Sequence, residues 1–205
     1  MEPSSTPRLP DERAVITKDI IDDIERDILK RRHIERYMGI AQYAYGTVLD
    51  CASGSGYGSY LLGKKSDVTH VHGIDINAEA VAAATEQFGS DKVSFHHQHI
   101  EDFATPADVL VSLETIEHLE DPTVLADLCD RTGVKEVIVS YPSKKSTHYN
   151  KFHKWDFVKQ DIADIFPKFQ VVEATDFAFD TCIVRLVRHE RNLIPEHRWN
   201  RQPRG

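Results

Sequence analysis

Cysteine is scarce in this chain: Cys51, Cys129 and Cys182 are all it has in 205 residues. An odd number at wide spacing excludes a disulfide framework and matches no zinc-finger spacing. A reducing, cytoplasmic setting is therefore expected. Long apolar runs are missing too. Nowhere do about eighteen apolar residues follow one another, the length that a membrane-spanning helix requires. The opening Met1-Glu2-Pro3-Ser4-Ser5 lacks the apolar centre of a signal peptide. Positive charge is in short supply: 25 Lys and Arg stand against 33 Asp and Glu, for a net charge of −8. Residues 188–205 hold five Arg and two Glu, or +3, so the preceding chain carries −11. A body of that sign is a poor general binder of nucleic acid, whose phosphates call for clustered Lys and Arg. Repeats and low-complexity tracts are also missing. One domain over residues 13–187 is expected, flanked by a disordered Pro- and Ser-rich start (1–12) and a basic, flexible tail (188–205).

What the chain does have is a concentration of glycine in one stretch, Val48-Leu49-Asp50-Cys51-Ala52-Ser53-Gly54-Ser55-Gly56-Tyr57-Gly58. The apolar run Thr47 to Leu49 reads as a buried parallel strand, and Tyr57 to Leu62 as the start of a helix. Strand, glycine turn and helix together let a ligand approach backbone N–H groups. A dinucleotide fingerprint, Gly-x-Gly-x-x-Gly, would place its third glycine at position 59, which is Ser59. Asp50 at the strand end would also repel a phosphate. A cationic ligand would welcome it.

This run resembles motif I of the class I S-adenosylmethionine (SAM)-dependent methyltransferases, whose ligand carries a sulfonium and an ammonium and no phosphate. The resemblance covers about residues 33–187. It implies an α/β, Rossmann-like three-layer sandwich around a seven-stranded, mostly parallel sheet with an antiparallel last strand. It implies cofactor contacts from Asp50, Ser53, Gly54, Gly56 and Tyr57 in the loop. Upstream, His33-Ile34-Glu35-Arg36-Tyr37 resembles a His-x-x-Arg-Tyr element that puts Arg36 and Tyr37 near the cofactor carboxylate. Asp75, 19 residues after Gly56 and followed by Ile76, is spaced to accept both ribose hydroxyls; its competing role is a helix cap. Where the family usually has an Asp facing the adenine, this chain has His99, followed by Ile100, Glu101 and Asp102.

The pattern predicts further elements along the chain. Ile16, Ile20, Ile24 and Ile28 form a helical stripe, with Thr17 or Asp19 as cap and Lys30-Arg31-Arg32 as the basic end. Strands are expected at Val71–Ile76, Val93–Phe95, Ala107–Leu113 and Glu136–Ser140, then a hairpin of Phe169–Ala178 with Thr181–Val187. Helices are expected over Asn77–Phe88, Pro122–Gly133 and Asp161–Phe166. In His96-His97-Gln98-His99 strand alternation separates neighbouring rings, so His96 and His97 are not expected to share a metal.

Two later runs carry chemistry. Glu114-Thr115-Ile116-Glu117-His118-Leu119 resembles the Glu-Thr-Ile-Glu-His-Leu run of bacterial small-molecule methyltransferases, and Asn150-Lys151-Phe152-His153 their Asn-Pro-Phe-His run. The resemblance places Glu114 beside the cofactor. It makes His118, His153 and Glu117 the candidates for the catalytic groups, the histidines because imidazole titrates near neutrality. Glu114, Glu117 and His118 fall at i, i+3 and i+4, one face of a helical turn. The first run also resembles the metal-binding Glu-x-x-Glu-His of RNA 3′-end 2′-O-methyltransferases and ubiquinone-pathway O-methyltransferases. That resemblance implies that these three residues, with His153 or with His148 in its place, hold a divalent metal, Mg²⁺, Mn²⁺ or Zn²⁺. The competing role of Glu117 and His118 is to hold the loop by hydrogen bonds. The expected function is methyl transfer from SAM to an oxygen or nitrogen of a small-molecule acceptor, with no membrane partner. The alternatives are an enzyme resembling the RNA 3′-end 2′-O-methyltransferases, and a SAM-binding protein without transfer activity. Neither the acceptor nor the oligomeric state has a readable code.

Overall fold

The computed structural model describes residues 18–178 and 180–189. The expected disordered start, the caps and stripe residues at Ile16 and Thr17, and the tail beyond His189 lie outside them. The chain divides into two compact units, residues 1–33 and 34–205. Helix α1 (Lys18–Ile40) supplies the described part of the first and reaches into the second. In the first unit it carries i,i+3 ion pairs from Arg26 to Asp23 and from Lys30 to Asp27. The expected end at Lys30-Arg31-Arg32 is corrected: the helix runs on to Ile40. Tyr37 and Ile40 are buried in the core of the second unit, so packing continues the helix past its basic signal.

The second unit is a seven-stranded sheet: β1 (Gly46–Cys51), β2 (Val68–Asp75), β3 (Val93–His97), β4 (Val109–Ser112), β5 (Glu136–Pro142), β6 (Phe169–Phe177) and β7 (Thr181–Arg188), in the order β3-β2-β1-β4-β5-β7-β6. Neighbours are parallel from β3 to β5, and β7 is antiparallel to both β5 and β6. One reversed strand in a parallel sheet is the expected arrangement. Helices α2 (Tyr57–Gly63), α3 (Ala78–Phe88) and α4 (Val124–Thr132) make the crossovers, and α5 (Lys159–Ile165) precedes the hairpin.

Alternation builds the layers. Val48, Val71, Val109, Val111 and Ile138 point to one face, where Tyr37, Ile40 and Leu62 cover them. Leu49, Ile74, Leu110, Val137 and Val139 point to the other, against Leu125 and Leu128 of α4 and Ile162 and Ile165 of α5. Each such side chain contributes about 1.5–3 kcal/mol by leaving water. Strands covered on both faces read as continuous apolar runs, which is why their positions were predictable and their ends were not.

The ends differ by one to three residues. Most are a matter of which hydrogen bonds form, but one carries weight. Arg188, expected in the flexible tail, is the last residue of β7. Its guanidinium donates to the carbonyls of Val134 and Cys129 and to Asp130, and its ring-facing side lies over Phe169. All three cysteines are free and buried. Among the described residues no helix is long and apolar enough to cross a membrane.

The strand order reverses between β1 and β4, so their loops leave in opposite directions and open a crevice at the carboxyl ends. The loops after β1, β2, β3, β4 and β5 all meet at that edge. The turn before β7 joins them, since Thr181 pairs with Pro142 and Ser143 N–H donates to the Asp180 carbonyl.

Candidate active site

The glycine loop lies between the end of β1 and α2. Gly54 has φ +52°, and a Cβ there would meet nothing within 4 Å. Glycine here serves backbone shape and leaves open space on the ligand side. Gly58 is the opposite case. A Cβ on it would stand 2.1 Å from the Tyr37 ring, so this position is glycine to let Tyr37 reach the loop.

Asp50 is fully buried, and both its oxygens are occupied: Tyr37 Oη donates to one at 2.9 Å and Ser59 Oγ to the other at 2.6 Å. Burial outweighs these hydrogen bonds and pushes its pKa up to about 6. The acid thus sits beneath the loop as a latent negative charge, and Tyr37 and Ser59 hold it there.

Asp75 ends β2. Its carboxylate accepts from Gly54 N–H at 2.9 Å and from Asn77 N–H at 2.8 Å, tying the loops after β1 and β2 together. It does not cap α3. Asn77 does, accepting from the N–H groups of Glu79 and Ala80. Ile76 beside it is 64% exposed. Ser53 is buried with no partner for its hydroxyl, and Tyr57 packs edge-on to Tyr37. His99 is exposed and precedes a 3-10 turn, Ile100–Asp102, with Ile100 half-buried against the core.

After β4 the chain is strained. Glu114 has φ +52°, a region that branched and long side chains rarely occupy. Ser140 of β5 holds it: its Oγ accepts from Glu114 N–H at 2.9 Å and donates to Glu114 Oε1 at 2.7 Å. The other oxygen lies 3.7 Å from the buried Arg36 guanidinium, which is also 4.0 Å from Asp180. The helical turn expected over Glu114–His118 is instead a 3-10 turn of Ile116–His118 only. Glu114 therefore stands apart from the histidines, which corrects the four-residue metal set.

Glu117, His118 and His153 do come together, with one ligand atom from each within 4.8 Å of the others. Glu117 is 1% exposed and neither carboxylate oxygen is hydrogen-bonded to another residue. Burial, with Glu114 adding to it, pushes its pKa up to about 8. His118 Nδ1 lies 3.0 Å from the Phe152 carbonyl, which can only accept, so Nδ1 carries the proton and Nε2, 3.9 Å from Glu117, is left with its lone pair. His153 Nδ1 is 2.7 Å from Ser146 Oγ, and the two imidazoles meet edge to face at 4.7 Å. Burial, and His118 nearby, lower the pKa of His153. Asp156 accepts from the N–H groups of Ser146 and Thr147 and so shapes the loop behind His153. His148, the other candidate ligand, is exposed against Tyr149 and outside the group. Ser140, Ser146 and the Phe152 carbonyl were not singled out from the sequence. Serine is a common residue, and nothing local marks a partner that lies a strand away.

Residues 48–132 match the family model of a methyltransferase domain. The magnesium protoporphyrin IX methyltransferase of Synechocystis, solved with S-adenosylhomocysteine (SAH), superposes with a TM-score of 0.67 at 16% identity, over 86% of this chain and 90% of its own. The N-methyltransferase NodS of Bradyrhizobium japonicum, also with SAH, gives 0.63 at 16% identity over 78% and 87%. A methyltransferase complex with its activator from Haloferax volcanii gives 0.69 at 15% identity over 83% and 96%. No curated protein matches the sequence. The matched segment spans the glycine loop, Asp75 and the Glu117-His118 turn: residues 48–132 resemble a methyltransferase domain, and the described sheet has the Rossmann-like fold of those solved methyltransferases.

Proposed function

We propose that the enzyme transfers the SAM methyl group to an oxygen or nitrogen of a small molecule held above the ends of β4 and β5. The observation that carries this reading is Glu117: a buried carboxyl without a hydrogen-bonding neighbour, facing two imidazoles at the mouth of the crevice. Such a group is costly to bury unless something completes it. In the transfer, the acceptor's lone pair attacks the methyl carbon as the carbon–sulfur bond breaks. The bonding electrons stay on sulfur, leaving neutral SAH, and the acceptor sheds a proton. Alignment of acceptor and methyl supplies most of the acceleration, and a base adds about 10²–10⁴-fold. His118 Nε2, with its tautomer set by Phe152, is the group in this reading that takes the proton. The imidazolium that results would favour the ionised form of Glu117 beside it, against the burial that raises its pKa.

The SAM site in this reading is formed by Asp50, Ser53, Gly54, Gly56 and Tyr57, with Asp75 and Ile76 at the ribose. His99 and Ile100 lie toward the adenine, and Arg36, Tyr37 and Glu114 toward the methionine end. The acidic composition supports a small molecule over RNA as acceptor. A divalent metal also fits the donor set: Glu117 brings an uncommitted carboxylate, and His118 and His153 bring imidazoles whose Nδ1 atoms are already engaged. Glu117, His118 and His153 would hold it, His118 then serving as ligand in place of base, and it would polarise an acceptor hydroxyl.

The test is labelled SAM offered with pools of small-molecule hydroxyls and amines and, separately, RNA, before and after chelation. Transfer to a small molecule that falls at least about 100-fold in His118→Ala supports the reading. Transfer to RNA alone, or none with SAM bound, overturns it.

A further inference from the structure

The strand pairing assembles a second histidine cluster, away from the crevice loops. His70 and His72 are two residues apart on β2 and so share a face. Register sets His72 opposite Ser94 and Ile74 opposite His96 on β3, the edge strand of the sheet. His72 Nδ1 and His96 Nε2 are 3.0 Å apart, and each is 3.1 Å from Ser94 Oγ. His70 Nε2 is 2.9 Å from the same hydroxyl, with its ring 4.5 Å from that of His72. Phe103 packs against both His72 and His96 and closes the inner side.

The geometry points to a metal site here, with His72, His96 and the Ser94 hydroxyl as ligands of a borderline transition-metal ion such as Zn²⁺ and His70 holding that hydroxyl from behind. Two imidazole nitrogens and a hydroxyl in a triangle of 3.0–3.1 Å sides make nearly one face of a coordination tetrahedron, whose edges are about 3.3 Å when metal–nitrogen distances are about 2.0 Å. Ser94 is a hub with one proton and two lone pairs. It can satisfy three neutral imidazoles, and that hydrogen-bonded arrangement is the state the metal must displace. His70 Nε2, 2.9 Å from the hydroxyl, orients it toward the ion. Imidazole donors without a carboxylate select Zn²⁺, Cu²⁺ or Ni²⁺ over Mg²⁺ or Ca²⁺. The ion would cross-link the edge strand to β2, immediately before Gln98 N–H bonds the Asp75 carbonyl. This site is independent of the methyl-transfer reading.

The experiment uses the full chain carrying Glu117→Gln and His153→Gln, so that the crevice cluster is silent. Chelator-stripped protein is titrated calorimetrically with Zn²⁺ and with Mg²⁺, and with Co²⁺ followed by visible absorption. The expected result is one saturable Zn²⁺ site with a Kd below roughly 100 µM, no Mg²⁺ site, and a tetrahedral Co²⁺ spectrum. His72→Gln and His96→Gln should each weaken Zn²⁺ by about tenfold or more, and His70→Gln by less. Thermal melting without metal checks that each variant folds. Partly exposed on the edge strand, His96→Gln keeps the test open if His72→Gln does not fold. Absence of saturable Zn²⁺ binding, or equal affinity in His96→Gln, would leave the cluster as a hydrogen-bonded hub and overturn the proposal.

Discussion

At the scale of the residue, Asp50 shows how this protein stores charge. Its folded pKa, about 6, lies above the ordinary carboxylate value, so the folded chain binds the proton more tightly than the unfolded one. The stability it contributes is complete below about pH 4 and is lost as pH rises through about 6, on the order of 3 kcal/mol in all. In the proposed SAM site, a bound sulfonium and ammonium would offset that loss. Asp50→Asn should therefore gain on the wild type in melting temperature between about pH 4 and pH 7, while binding SAM more weakly. Parallel melting curves across that range would show that Asp50 does not carry the effect. Gly58 gives a steric counterpart. Gly58→Ala drives a methyl into the Tyr37 ring and should destabilise by about 1–3 kcal/mol in chemical denaturation. A neutral result there would mean that Tyr37 moves freely.

At the scale of the element, the connection between β4 and β5 decides the shape of the crevice. Glu114 keeps a left-handed backbone because Ser140 binds both its amide and its carboxylate. Ser140→Ala should cost about 1–3 kcal/mol in urea denaturation. Glu114→Gly should cost less, since glycine relaxes the backbone. Equal effects would show that the strain is not what Ser140 restrains. This connection also marks what was legible in the sequence. Asp50, the loop glycines and Asp75 could be singled out because strand, turn and helix follow one another locally. Glu117 and His118 were legible as neighbours. Their meeting with His153 was legible through the resemblance of the Asn150-Lys151-Phe152-His153 run. The lock on Glu114 and the His70, His72 and His96 cluster depend on loop course and strand register, which no local pattern encodes. The extension of α1 to Ile40 was hidden for a related reason: burial of Tyr37 and Ile40 overrode a charge pattern.

At the scale of the whole molecule, the parallel sheet brings the loops that carry most candidate groups to one edge, and the reversed β7 brings Asp180 to that same edge beside Arg36 of α1. The opposite end of β7 is fastened by Arg188, which bonds two carbonyls and Asp130 across to α4. Arg188→Ala should lower the melting temperature by several degrees, about 2 kcal/mol or more, without changing cofactor affinity; an unchanged melting temperature would mean the hairpin is held by its strand pairing alone. The central claim is that the crevice between β1 and β4 binds SAM through the Asp75-tethered loop. Calorimetric titration with SAH, on the wild type and on Asp75→Ala, tests it most directly. The account predicts SAH binding that NADH does not displace, weakened about 10- to 100-fold by the substitution. Tighter binding of NADH, or an SAH affinity that Asp75→Ala leaves unchanged, would contradict it.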